Sequence, residues 1–352
     1  MLNQKQISPE VRAERQRFYE KIGRDDFAPL WEQLHNLVTK VPTSDCRTAH
    51  WEYAKARAYL DEAGELITAK EAERRVLILE NPGIRGKAAI TPALYAGLQM
   101  ILPGEVAPAH RHSQSALRLI LEGDGAFTTV DGEQSLMKRG DFIITPSWTW
   151  HDHGNHTDTP MVWLDGLDVP MVAMLDASFA ESGTTEAQTF LRPPGDSSLR
   201  FGNNMAPVDW QPTPNRASPL FSYSYTNASA SLAAMAASST PDTCHGYKLR
   251  YLNPLTGGPA MPTIGAYIQL LPAGFSSAPY RSSAGTIFAV IEGGVTVVTA
   301  DKTFIAGTND VFVIPSWVTH EFNVMEKAVL FSFSDRPVQE TLGLWREQRS
   351  AE

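Results

Sequence analysis

Two cysteines, Cys46 and Cys244, are all the thiols that 352 residues contain. Such usage excludes a disulfide framework and fits a reducing compartment. Positive charge is also scarce. Lys and Arg number 30 against 39 Asp and Glu, a net charge of −9. No block of Lys or Arg breaks the pattern, so nucleic acid and anionic membranes are poor partners. Long apolar runs are missing as well. The start, MLNQKQISPEVRAER, lacks the apolar core of a signal peptide. The most apolar region, near residue 170, is broken by Asp165, Asp168 and Asp176, so no membrane span is expected. These absences point to the cytoplasm. What is present is ordinary for a globular chain: 43% hydrophobic and 20% charged residues. The length exceeds what one small β-barrel needs and suffices for two.

Residues 1–73 read as a helical N-terminal region. Ser8 before Pro9 is an N-cap with proline at N1. Tyr19, Ile22, Phe27, Leu30, Trp31, Leu34 and Leu37 fall at helix-like spacings. A further helix is predicted from about Trp51 to Ala63, and Thr68 to Glu71 has capping-box form. The region is expected to cover a barrel or join subunits. From Arg74 the period changes. RRVLILENPG reads as a strand bounded by Asn81-Pro82-Gly83. LYAGLQMILPG follows. ALRLILEGDG and AFTTVDGE read as paired strands, with Asp131-Gly132 as a turn signal. SLMKRGDFIITPSW and MVWLDGLDVP complete a first barrel over residues 74–175. Prolines 193, 194, 207, 212, 214 and 219 then punctuate residues 176–245. This long connection is expected to carry one helix between Asn227 and Ser239, draped over a barrel or a neighbouring subunit. Over residues 246–352 the first barrel repeats. Asn253-Pro254 answers Asn81-Pro82, Gln269 answers Gln99, and GTNDVFVIPSWVTHEFN answers KRGDFIITPSWTWHDHGN.

Chemistry concentrates between Gly104 and Asn155. His110 and His112 are two apart, so on a strand both imidazoles share a face. His151 lies in another strand-like run. Three imidazoles gathered by a sheet can form a facial metal site with open positions. His-x-His alone is a weak signal, but its flanks are specific. Gly104 stands six before His110, Gly123 closes the first half, and Gly140, Pro146, His151 and Asn155 follow as G-x5-P-x4-H-x3-N. This two-part pattern resembles the cupin family, a small β-barrel with its metal inside. With the repeat, the resemblance implies a mainly β bicupin: two double-stranded β-helix (jelly-roll) barrels beside the helical N-terminal region. Cupins commonly place a Glu four residues after the second His, where this chain has Ala116. Three neutral ligands leave the metal its full charge and positions for a bidentate substrate with O2. In the second barrel Tyr280 and Ser282 replace His110 and His112, while His320 answers His151. That barrel is expected to be metal-free and structural, with His320 a satisfied core or surface residue.

Four residues near the histidines invite a role. His153, two past His151, faces the same cavity on an extended strand and can serve as base or donor. Arg118 interrupts the apolar run ALRLILEG, and its guanidinium can receive a carboxylate. Asp165, inside MVWLDGL, can orient His153 or neutralise Arg118. Gln99 can hydrogen-bond a hydroxyl or oxygen. The plainer alternatives are a buried Arg118–Asp165 ion pair and a His153 that faces solvent. Arg74 opens a strand and Tyr95 fills an apolar run.

The chain resembles more closely the gentisate 1,2-dioxygenases and their relatives acting on salicylate and 1-hydroxy-2-naphthoate. The carriers are EAERRVLILENPG, LYAGLQMILPGEVAPAHRHSQSALRLILEG, GDFIITPSWTWHDHG and CHGYKLRYLNPLTGGPAMPTIGA. The resemblance implies Fe(II) on His110, His112 and His151, with a substrate site of Gln99, Arg118, His153 and Asp165, and Arg74 and Tyr95 nearby. It implies opening of gentisate (2,5-dihydroxybenzoate) between C1 and C2 with O2 to give maleylpyruvate, by a homotetramer. Arg118 is expected to hold the substrate carboxylate rather than to support the fold. The alternatives are cleavage of salicylate or 1-hydroxy-2-naphthoate, or a non-catalytic cupin binding a small aromatic acid.

Overall fold

The computed structural model describes residues 7–349 apart from residues 186 and 204. The first six and last three residues, which the sequence assigns to the helical region and the second barrel, lie outside it. The chain divides into two compact units, one ending at Thr43 and one beginning at Ser44. In the smaller unit, the Ser8 side chain accepts the Val11 N–H at the head of helix Pro9–Gly23. A second helix runs Leu30–Leu37. Trp31 Nε1 donates to the Tyr19 hydroxyl, which donates to Glu32, and this relay ties the two helices together.

The larger unit holds two barrels of like build. In the first, a six-stranded sheet takes the order Ser222–Tyr223, Phe142–Thr145, Ala116–Glu122, Met161–Leu167, Tyr95–Ile101 and Val76–Ile78. It closes over a five-stranded sheet of Ala180–Ser182, Val106–His112, His151–Gly154, Asp124–Val130 and Glu133–Lys138. The second barrel repeats this with a six-stranded sheet of Ala49–Trp51, Val311–Ile314, Thr286–Glu292, Ala328–Ser334, Gly265–Leu271 and Tyr247–Arg250. Its five-stranded sheet runs Thr303–Ala306, Val295–Thr299, His320–Asn323, Tyr280–Ser282 and Glu347–Arg349.

The two six-stranded sheets share a core. Leu98, Leu117, Leu119 and Leu164 of one barrel pack with Ile268, Ile287, Phe331 and Phe333 of the other. Alternation along Ala116–Glu122 sends Leu117 and Leu119 outward to the partner barrel and turns Arg118 and Ile120 inward. Ile120 accordingly packs with Met137, Ile143 and Trp163 in a separate cluster inside the first barrel.

One expected pairing fails. Ala116–Glu122 and Asp124–Val130 lie in different sheets: the former pairs with Met161–Leu167 and Phe142–Thr145, the latter with Glu133–Lys138 and His151–Gly154. Gly123 carries the chain across at φ +92°, where a Cβ would stand 2.9 Å from the Pro160 carbonyl oxygen. The Asp131-Gly132 turn does form, both residues at positive φ, and joins Asp124–Val130 to Glu133–Lys138.

The helix after Glu52 runs Tyr53–Leu66, and the Thr68–Glu71 capping box is present. The strand Ala49–Trp51 before it pairs with Val311–Val313 at the edge of the second barrel. Within the long connection, Ala180–Ser182 pairs with the histidine strand and Ser222–Tyr223 with Phe142–Ile143. The expected helix there runs Tyr225–Ser238. The repeat survives in detail. Trp148 and Trp317 both hold φ near +60° (61° and 63°), and their N–H groups donate to His112 and Ser282 carbonyls at 2.8 and 2.7 Å. Among the described residues no helix is long and apolar enough to cross a membrane.

Candidate metal centre and its surroundings

The strand Val106–His112 pairs with His151–Gly154 so that His110 stands opposite His151. His112 points to the same face two residues on. The three rings lie with centroids 4.1 to 5.3 Å apart, and one nitrogen from each falls within 4.8 Å of the others. Burial is the first cause lowering all three imidazole pKa values, and His110 falls to about 3 with Arg74 as the second cause. Neutral imidazoles are what a metal requires.

Backbone carbonyls orient two of the rings. His112 Nδ1 lies 2.9 Å from the Gln114 carbonyl oxygen, and His151 Nδ1 3.0 Å from that of Thr149. A carbonyl only accepts, so each Nδ1 carries the proton and Nε2 keeps a lone pair for a metal. His110 differs. Its Nδ1 is 3.2 Å from the Pro108 carbonyl but 2.6 Å from Arg74 Nη2. A guanidinium only donates, so the shorter contact needs a bare Nδ1. A metal on Nε2 requires the other tautomer, with Nδ1–H donating to Pro108 and Arg74 turned away. Ala116, 1% exposed, supplies no fourth ligand. The donor set fits a metal held by three neutral ligands.

Behind the cluster lies a buried polar network. Arg118, 4% exposed, donates from Nη1 to Thr145 Oγ1 at 2.6 Å and from Nη2 to His153 Nε2 at 3.1 Å. Its Nε sits 3.5 Å from Asp165 Oδ1, directly across the strand pair. His153 receives on Nε2, so its proton is on Nδ1, 2.9 Å from Thr128 Oγ1. Asp165 accepts from Trp163 Nε1 at 3.0 Å. Burial pushes its carboxyl up to about 6, while Arg118 pulls the other way. The ion pair expected as a plain alternative is therefore real, and His153 is buried rather than facing solvent. Arg118 is tied into the barrel from three sides, which corrects the expectation that it stands apart from the fold.

The remaining residues line the same wall. Gln99 pairs with Trp163, and Gly97 with Asp165. Tyr95 folds back over Gly97, where a Cβ would come within 2.7 Å of its hydroxyl. Among the described residues that hydroxyl has no hydrogen bond, and burial raises its pKa. Arg74 is half-buried and brought down to about 10, first by burial and then by Arg118. Its neighbour Arg75 turns elsewhere, to a two-pronged pair with Glu105 at 2.8 and 2.9 Å. Sequence reasoning does not find Thr128, Thr145 or Trp163, which hold His153, Arg118 and Asp165. Hydroxyls on alternating strand positions carry no signal of their own. In the second barrel, His320 stands opposite Tyr280, 7% exposed, and it packs against the Tyr280 and Phe322 rings.

Comparison with known proteins places this geometry. A family model described as a cupin domain matches residues 97–168. A gentisate 1,2-dioxygenase from Aquipseudomonas alcaligenes is 54% identical over 97% of this chain and 98% of its own length. A 5-aminosalicylate 1,2-dioxygenase from a Comamonas species is 36% identical over 95% of this chain and 90% of its own. The crystal structure of salicylate 1,2-dioxygenase from Pseudoaminobacter salicylatoxidans, solved as adducts with gentisate, superposes with a TM-score of 0.91 at 34% identity, covering 98% of this chain and 95% of that one. On identity and coverage alike, the chain belongs to the gentisate 1,2-dioxygenase family of bicupins.

Proposed function

We propose that this protein is a gentisate 1,2-dioxygenase, opening 2,5-dihydroxybenzoate between C1 and C2 and placing both atoms of O2 in maleylpyruvate. The observation that carries the reading is one barrel whose interior holds both a carboxylate-free histidine cluster on the five-stranded sheet and a buried Arg118–His153–Asp165 network that reaches it from the six-stranded sheet. His110, His112 and His151 are the residues that would hold Fe(II). Iron there would supply the Lewis-acid and redox chemistry that the ring and dioxygen need to react.

The rest is the work of side chains. Arg118 offers its guanidinium to the substrate carboxylate in a site without bulk water, where a charged hydrogen bond counts most. Asp165 offsets that charge and keeps the guanidinium oriented before substrate arrives. Arg74, once released from His110 Nδ1, adds a second cation for the aromatic acid. His153, kept neutral by burial, accepts a hydrogen bond from a substrate hydroxyl when Nε2 exchanges Arg118 for substrate. The Gln99 amide and the unpaired Tyr95 hydroxyl bind ring hydroxyls.

The reading extends to a cytoplasmic homotetramer. It is supported by Cys46 and Cys244, which are buried free thiols, and by exposed Phe27, Leu30 and Trp31 in the N-terminal helical unit. Turnover of gentisate under heavy-isotope O2 tests the reaction. Two labelled oxygens in the ring-opened acid are expected. A product with one label, or unreacted gentisate at full iron load, overturns it.

A further inference from the structure

The second barrel has lost two histidines but keeps a hollow polar interior. A pocket of about 430 Å³, part of it open to solvent, sits under His320. Its inner end is narrow, with room for a small ion and not for an aromatic ring. Lys248 and Arg336 line it, with His245, His320 and the hydroxyl of Thr286. None of the described residues lining it carries a carboxylate.

Lys248 is the telling residue. It lies on Tyr247–Arg250 with its ammonium 5.1 Å from the centre of the Tyr267 ring. Among the described residues nothing gives that ammonium a hydrogen bond or an ion pair. The two nearby acids are engaged elsewhere. Asp242 is gripped by Arg349 at 2.6 Å, and Glu347 accepts from the Tyr280 hydroxyl at 2.9 Å. Arg336 spends Nε on Glu340 and stacks 3.8 Å over Trp345. Burial and then Arg336 pull the Lys248 pKa down to about 8, against the smaller opposing effect of Asp242 and Glu347, as befits a cation that its surroundings compensate only in part. The neighbours in register tell the same story. Gln269, across from Lys248, and Ser332, across from Tyr267, are 0% exposed, and their side-chain polar atoms lack partners among the described residues. Buried polar groups are ordinarily satisfied, so such a group calls for a partner.

We infer that the second barrel binds a small oxyanion of a few heavy atoms, held chiefly by Lys248 with Arg336 and Thr286. It would supply the negative charge that the lining lacks and acceptors for its donors. The barrel that has lost its metal ligands is then a binding module of opposite polarity, not mere scaffold. The inference does not depend on the reaction in the first barrel.

The test uses intact, metal-loaded protein. Sodium phosphate and sodium formate are titrated calorimetrically at ionic strength fixed with chloride, into wild type, Lys248→Met and Thr286→Val. Lys248→Met keeps the stem and removes the charge, and circular dichroism checks that it folds. Saturable one-to-one binding of either anion to wild type, at least tenfold weaker in Lys248→Met, is expected. The anion that binds tells a tetrahedral inorganic ion from a carboxylate. Crystals soaked in selenate should show an anomalous peak beside Lys248, which decides the matter even if Lys248→Met does not fold. No saturable binding of either oxyanion, equal binding by Lys248→Met, or, where phosphate is the anion that binds, a selenate map without that peak would overturn the inference.

Discussion

Arg118→Lys separates two roles that the structure assigns to one side chain. The substitution keeps a positive charge near Asp165, so the buried pair is not broken outright. It removes the planar fork, and with it the bonds to Thr145 and His153 at 2.6 and 3.1 Å. A charged hydrogen bond is worth about 1.5–3 kcal/mol, and a lysine recovers part of one, which leaves a loss of about 2–3 kcal/mol. At roughly 2–4 °C per kcal/mol for a chain somewhat shorter than this one, Tm should fall by about 4–12 °C. If the same fork grips the substrate carboxylate, losing one charged bond in the transition state costs about 10- to 100-fold in kcat/KM. The assay is scanning calorimetry on the iron-loaded variant, with oxygen-electrode kinetics well below its transition. A variant with lowered Tm and wild-type kcat/KM would show that Arg118 only braces the barrel. Unchanged Tm and unchanged kinetics would refute the network argument altogether.

Four further outcomes are expected. Elemental analysis should find one tightly bound metal per chain, lost in His110→Ala and retained in His320→Ala; about two per chain would place a second site where Tyr280 and Ser282 stand. Gentisate should be preferred strongly in kcat/KM over salicylate, whose ring lacks the activating para hydroxyl, and over 1-hydroxy-2-naphthoate, whose second ring Tyr95 is proposed to restrict. Gly97→Ala should shift that ranking by displacing the Tyr95 hydroxyl, and an unchanged ranking would remove Tyr95 from the pocket wall. Lys248 carries a folded pKa near 8 against 10.5 when free, lowered first by burial and then by Arg336, with Asp242 and Glu347 favouring its charge. The unfolded chain therefore binds more protons between these values, so this group's penalty is full below pH 8 and fades as pH rises towards 10.5. Without added oxyanion, wild type should gain stability relative to Lys248→Met over that window, and parallel denaturation curves would contradict the assignment.

How much was legible depended on whether one face of a strand differed from the other. His110, His112, His151 and His153 could be read because polar residues two apart declare a common face. Arg118 could be read because a charge in an apolar run is conspicuous. Ala116–Glu122 is buried on both faces, so its pattern does not say which sheet it joins, and its partners are Met161–Leu167 and Phe142–Thr145 rather than Asp124–Val130. Ala49–Trp51 and Ala180–Ser182 are three residues each, too short for any period to show. The contact of Arg74 with His110 spans 36 positions and follows from barrel closure, which local pattern does not encode. Lys248 lies in KLRYLNP, where a lysine ordinarily means solvent, and only the closed barrel turns it inward.

The most direct test of the account is oxygen consumption by protein reconstituted anaerobically with Fe(II). The account predicts that each gentisate added consumes one O2 and yields one ring-opened acid, and that His110→Ala does neither. Full iron occupancy without gentisate-dependent uptake, or uptake that leaves the ring intact, would contradict it.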